Sequence, residues 1–84
     1  MNIKKEEVIN FIINKVKKLT KNEESEILAH TSLSSVGVDS LSAVLICGYI
    51  EDEYNIEVEP IIMFECKNAN EVANEVIRLI EEQL

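Results

Sequence analysis

Gly37-Val38-Asp39-Ser40-Leu41-Ser42-Ala43-Val44-Leu45-Ile46-Cys47-Gly48-Tyr49-Ile50-Glu51-Asp52-Glu53 is the stretch whose reading decides the fold. Asp39 and Ser40 are capping residue types set just before an apolar run, which marks a helix start. At helical spacing Ala43, Ile46, Cys47, Ile50 and Tyr54 gather on one side, a core stripe. Leu41, Val44, Leu45 and Gly48 gather on the other, continued by Glu51 and Asp52. A helix in a small bundle needs one apolar stripe, so the second points to a partner or to a mobile group lying against it. The competing reading is a central helix buried all round, for which so short a chain has little room.

Two features favour the partner. Gly48 sits mid-helix, where glycine costs about 1 kcal/mol relative to alanine, so something is expected to approach the backbone there. Glu51-Asp52-Glu53 crowds negative charge at the helix C-terminus, where the macrodipole disfavours it. A solvated acidic turn is the plain reading; a docking site for basic proteins is the sharper one.

Working outward, residues 3 to 19 read as an amphipathic helix with Val8, Ile9, Ile12, Ile13, Val16 and Leu19 on one face. In residues 20 to 39 the turn-forming and capping residues Thr20, Asn22, Ser25, Thr31, Ser32, Ser34, Ser35 and Gly37 break the helical pattern, and the stretch reads as a long loop. Ile27, Leu28, Leu33 and Val36 should pin it to the bundle, with a short helical turn around Glu24 to Ala29. After the central helix, Asn55 to Glu59 form a link closed by Pro60, which suits the start of a short helix through Ile61, Ile62, Met63 and Phe64. Asn68 or Asn70 caps a last helix whose face is Val72, Ala73, Val76, Ile77, Ile80 and Leu84. Ile56-Glu57-Val58 alternates like a strand but has nothing to pair with. The fold class is all-α: a bundle of three main helices and one short one, with residues 1–84 as one domain.

An 84-residue chain buries a modest core and has little room for a deep catalytic pocket. Sixteen acidic against eight basic residues give a net charge of −8. Such a surface repels nucleic acid and anionic membranes and favours basic protein partners. No apolar run is long enough to span a membrane, and the charged N-terminus suits no secretory signal, so the cytoplasm is the expected location. Cys47 and Cys66 stand apart, and His30 is the sole histidine, so no metal site is expected. The two cysteines read as thiols in a reducing compartment, with a disulfide between them neither required nor excluded.

A helix N-terminus offers free N–H groups and a positive dipole end, so a phosphodiester attached at Ser40 is electrostatically favoured. Gly37 lets the preceding loop turn and leave the hydroxyl accessible. A nucleophilic role would need an oriented base, and His30 in a polar loop gives no reason to place one there. The nucleophile-elbow pattern is absent, and the acidic run from Glu51 to Glu59 lacks the spacing and glycine of a calcium loop.

At Leu33-Ser34-Ser35-Val36-Gly37-Val38-Asp39-Ser40-Leu41 the chain resembles the acyl and peptidyl carrier proteins, with Val36 in place of the usual leucine. The resemblance extends over essentially the whole chain. It implies a non-catalytic carrier whose Ser40 receives 4'-phosphopantetheine from coenzyme A through a magnesium-dependent phosphopantetheinyl transferase. Asp39 would orient that enzyme's metal and substrate. The helix from Ser40 would be the recognition element, with Leu41, Val44, Leu45, Gly48, Glu51 and Asp52 facing partners. Those partners would be loading, condensing and processing enzymes with basic or apolar docking surfaces, and the carrier a monomer. Housekeeping fatty-acid carriers usually have acidic residues where Ser42 and Leu45 stand, and a bulky apolar residue at Gly48. Met63-Phe64-Glu65 and Asn70-Glu71-Val72-Ala73 look more like carriers of polyketide and peptide assembly lines. A freestanding carrier of that type is the expectation. A fatty-acid carrier, a carrier of activated amino acids, and an unmodified helical adaptor are the alternatives.

Overall fold

The computed structural model describes residues 3–21 and 26–84. Among the described residues four α-helices follow one another, α1 (Lys5–Thr20), α2 (Ser40–Tyr54), α3 (Ile61–Glu65) and α4 (Ala69–Gln83), and there is no strand. The expected bundle of three main helices and one short one is the one observed. α1 lies against both α2 and α4, and α3 bridges α2 and α4.

Each helix has a local cause. α1 carries Glu6 and Glu7 in its first turn and Lys17 and Lys18 in its last, both favourable to its macrodipole. It ends where Lys21 turns left-handed, at φ 60°, and donates its N–H to the Lys17 carbonyl. Asp39 caps α2, and Asn55 closes it in the left-handed region at φ 58°. Asn68, not Asn70, caps α4: its Oδ1 accepts the Glu71 N–H at 2.9 Å.

Val8, Ile12 and Val16 of α1, Ile46 and Ile50 of α2, and Val72, Ala73 and Val76 of α4 are sealed from solvent and make the centre of the core. The α1 and α4 stripes read from sequence supply most of it. Two residues depart from the expectation. Leu84 is 64% exposed, because α4 ends at Gln83 and the last residue runs past its neighbours. Leu28 is also exposed: the loop is pinned by Ile27 and Leu33, while Leu28 turns outward and its N–H binds Thr31 Oγ1. The helical turn proposed around Glu24 to Ala29 lies partly outside the described residues; the described part, from Glu26, is not helical. A single 3-10 turn forms instead at Ser34–Val36. The loop is also tied to the α3–α4 link, where Leu33 N–H donates to the Lys67 carbonyl and Asn70 N–H to the Ala29 carbonyl.

The alternating Ile56-Glu57-Val58 segment buries Ile56 and Val58 and exposes Glu57, as a strand would. Side chains take the part of the missing strand. Gln83 Oε1 accepts the Glu57 N–H at 2.7 Å, and Gln83 Nε2 donates to the Glu57 carbonyl at 3.0 Å. Glu51 Oε2 accepts the Val58 N–H at 2.9 Å. Removing the Gln83 amide deletes two hydrogen bonds worth about 1 kcal/mol each at most in so exposed a place. Gln83→Ala should therefore lower the melting temperature by several degrees and speed hydrogen exchange at Glu57 selectively. Unchanged exchange at Glu57 would mean that the pair does not hold the link in solution.

Candidate functional site

Ser40 is the first residue of α2, and its position follows from the residues before it. Gly37 adopts φ 98°, a conformation that costs a glycine little, and lies against Thr20 at the end of α1. The chain then turns so that Asp39 is extended and caps α2, its Oδ1 accepting the Ser42 N–H at 2.8 Å. The Ser42 backbone N–H, then the Ser42 side chain, hold the Asp39 carboxyl below its ordinary value. The cap is Asp39, which leaves Ser40 free of that task.

Ser40 is exposed, and its hydroxyl makes no hydrogen bond. Its neighbours are engaged. Ser32 and Ser34 pair at 3.1 Å, Ser35 donates to the Ser32 carbonyl, and Ser42 interacts with Asp39. Among the described residues Ser40 is thus the serine whose hydroxyl is both exposed and unpaired. A cleft of about 530 Å³ opens beside it, lined by Asp39 and by elements from three parts of the chain. Leu33, Ala43 and Met63 give it apolar walls; His30, Asp39 and Lys67 give it polar ones. No local signal around His30 places it here. The loop's ties to Lys67 and Asn70 do so, which only tertiary pairing reveals. Ser40 makes no hydrogen bond to His30, so no activated nucleophile is assembled.

The two faces of α2 are distributed as the spacing predicts. Ala43, Ile46, Cys47 and Ile50 are buried, with Tyr54 packed beside them. Leu41, Val44 and Leu45 are 69%, 49% and 42% exposed, which excludes a helix buried all round. Gly48 lies on this outer face with open space where a side chain would stand. Asp52 is exposed, whereas Glu51 is half-buried and committed to the Val58 N–H. The acidic turn is therefore carried outward by Asp52 and Glu53, with Glu51 turned to the link. Ile61 and Phe64 of α3 add further exposed apolar surface, Phe64 at the rim of the cleft. Sequence reading assigned Phe64 to a resemblance and missed its exposure, which a five-residue helix is too short to signal by periodicity.

α1 runs antiparallel to α2: Phe11 meets Tyr54 edge to face, Lys15 sits over the Tyr49 ring at 4.7 Å, and Thr20 faces Gly37. Lys17 and Lys18 at the end of α1 and Lys21 just past it thus stand at the Ser40 end of the bundle, and Glu51, Asp52, Glu53, Glu57 and Glu59 at the other. Cys47 and Cys66 are free thiols; burial pushes Cys47 up to about 11 and raises Cys66 as well, so neither is an activated nucleophile. No group of metal-ligating side chains occurs among the described residues, and no described helix is long and apolar enough to cross a membrane.

A search of curated proteins finds no match. A family model, described as the phosphopantetheine attachment site, matches residues 10–83. Domains of this family are non-catalytic carriers that hold 4'-phosphopantetheine covalently after modification by a phosphopantetheinyl transferase. The residues present fit such a group: an exposed, unpaired serine hydroxyl stands at the positive end of a helix, beside a cleft with apolar and polar walls. With the family match running over all but the first nine residues and the last, the chain belongs to the phosphopantetheine-attachment family of acyl and peptidyl carrier proteins.

Proposed function

We propose that Ser40 carries the phosphopantetheine arm and that the protein presents acyl, aminoacyl or peptidyl groups to the enzymes of a specialised biosynthetic pathway. The observation that carries this reading is the Ser40 hydroxyl, exposed and unpaired where the neighbouring serines are engaged. The arm ends in a thiol that holds its cargo as a thioester. The Ser40 oxygen loses its proton and joins the phosphopantetheine phosphorus as the pyrophosphate link of coenzyme A breaks and adenosine bisphosphate leaves, and the α2 N-terminus stabilises the resulting phosphodiester. Asp39 holds the first turn of α2 through Ser42 and keeps an exposed carboxylate beside Ser40, where a transferase-bound magnesium ion can meet it. The protein works as a monomeric carrier in the cytoplasm, to which the two free thiols are suited. Intact mass is the direct test: incubation with coenzyme A and a broad-specificity transferase should add one arm.

The outer face of α2 supports the specialised pathway. Leu41, Val44 and Leu45 offer apolar contact, and Asp52 a carboxylate further along. A partner with an apolar recess matches Leu45. A partner that presents a lysine or arginine for a carboxylate finds no pair there, a loss of about 1 kcal/mol at an exposed rim. Fatty-acid elongation enzymes should therefore handle the loaded protein poorly. Leu45→Glu combined with Ser42→Asp should improve that handling, impair the native pathway and barely change the melting temperature, since neither side chain is buried. Equal turnover of the two proteins by fatty-acid enzymes would favour a fatty-acid carrier instead.

A further inference from the structure

The polar groups left unused in the cleft beside Ser40 are donors. Asp39 gives one carboxylate oxygen to the Ser42 N–H, and Asn68 gives its Oδ1 to the Glu71 N–H. Ser32 and Ser34 bond to each other. The Lys67 ammonium, the Asn68 amide NH2 and the His30 ring have no partner among the described residues. The chain has sixteen acidic residues, yet none of those described pairs with the Lys67 ammonium. Glu71 meets the Lys67 backbone N–H instead, at 3.1 Å. Glu65, Glu71 and Glu75 are close enough to raise the Cys66 thiol, but none of them lines the cleft. The 15-residue α4 begins at this wall with Asn68 as its cap, so its positive end adds to the lysine.

We propose that the cleft selects a cargo whose chain ends in a free carboxylate, held by Lys67 together with the Asn68 amide and the His30 ring. It rests on Ser40 carrying the arm. The one anion in the cleft lining, Asp39, stands at the root of that arm, next to Ser40, while the donors belong to other segments that the far end of a folded-back arm can meet. Between them, Leu33, Val38, Ala43 and Met63 give an apolar path for the methylene groups of the cargo. The volume of about 530 Å³ is that of a small-molecule site. A neutral chain gains the apolar contact alone. A carboxylate at its end also gains charge-assisted hydrogen bonds from donors that otherwise face water. A cargo ending in an ammonium group meets Lys67 as a like charge.

The test compares adipyl and hexanoyl cargo, which have the same number of carbons. Each is loaded onto the full chain from its coenzyme A thioester by a broad-specificity transferase, and peptide mass mapping confirms the arm at Ser40. Hydroxylamine cleavage of each thioester is then timed and divided by the rate for the same thioester on free coenzyme A. A chain held in the cleft draws its thioester against the wall and away from the reagent. The adipyl protein should therefore be cleaved about fivefold more slowly than the hexanoyl one, the worth of one charge pair at a half-open site. Lys67→Gln should remove the difference and Lys67→Arg should keep it. The Lys67 side chain is exposed and makes no internal bond, so both variants should melt as wild type does. Equal normalised rates in the wild type overturn the proposal without recourse to any variant, as does slower cleavage of the hexanoyl protein. A difference that survives Lys67→Gln overturns the part given to the lysine. A wild-type chain that takes up no arm at Ser40 refutes the assignment of Ser40 itself, and the mass map separates that failure from the others.

Discussion

Ser40→Ala should abolish arm addition completely and leave the fold in place. Wild-type protein incubated with coenzyme A and a transferase should gain one phosphopantetheine increment, and the variant none. The loss is all-or-none because the other hydroxyl in the first turn of α2, that of Ser42, is engaged with Asp39. The fold should survive because Ser40 does not cap α2. Asp39 does so through the Ser42 N–H, and that bond is untouched. Alanine is at least as good a helix former as serine, so the stability change should stay within about 0.5 kcal/mol. Far-UV circular dichroism and a melting curve check this half of the expectation. If the variant still gains an arm, peptide mapping will find it elsewhere. Ser42 and Ser35 are the nearest candidates, although their hydroxyls are engaged with Asp39 and the Ser32 carbonyl.

Ile46→Ala should be among the most damaging single changes on α2. Ile46 is fully buried, on the face opposite Leu41, Val44 and Leu45. Truncating a buried isoleucine costs about 2–5 kcal/mol, the larger figure where the surroundings cannot close the cavity. A domain of this length is stable by only about 4–13 kcal/mol. The variant should therefore melt at least about 10 °C lower, and at the high end of the cost it should be substantially unfolded at growth temperature. Arm transfer should fall in proportion to the folded fraction, because α2 holds Asp39, Ser40 and the outer face in one frame. Urea denaturation with transfer assays on the same samples tests both parts. A cost below about 1 kcal/mol would show that α2 is not anchored through this residue.

Periodicity made α1 and α4 legible because each has one apolar stripe, and a one-sided helix announces its core face. α2 was legible for a different reason. Its residues alternate between two apolar faces, and only chain size argued that one of them must remain outside. The Asp39 cap and the exposed Ser40 were readable because capping acts between near neighbours. Interactions between distant segments were not readable. Nothing local in Gln83 indicates that it completes the hydrogen bonding of Glu57, or in Glu51 that it turns inward to Val58. Leu28 and Leu84 looked like core residues because their type is right; their exposure depends on where the loop and the last helix end. His30 reached the cleft through backbone bonds from other segments, which no motif encodes.

The separation of the Glu51-Asp52-Glu53 turn from Ser40 along α2 has a mechanical consequence. Asp52 and Ser40 lie at opposite ends of α2, about 18 Å apart. An enzyme that holds the protein by its acidic end grips it at a pivot, and Ser40 is the tip of a lever. A turn of about 20° about that pivot sweeps the tip through about 6 Å. Long-range charge attraction is tolerant of such turning, because it varies slowly with distance and angle. The apolar contacts at Leu41, Val44 and Leu45 lie nearer the tip and are short-ranged, so they fix the final angle. One end of the helix thus governs how quickly a partner is met, and the other governs where the carried group points once it arrives.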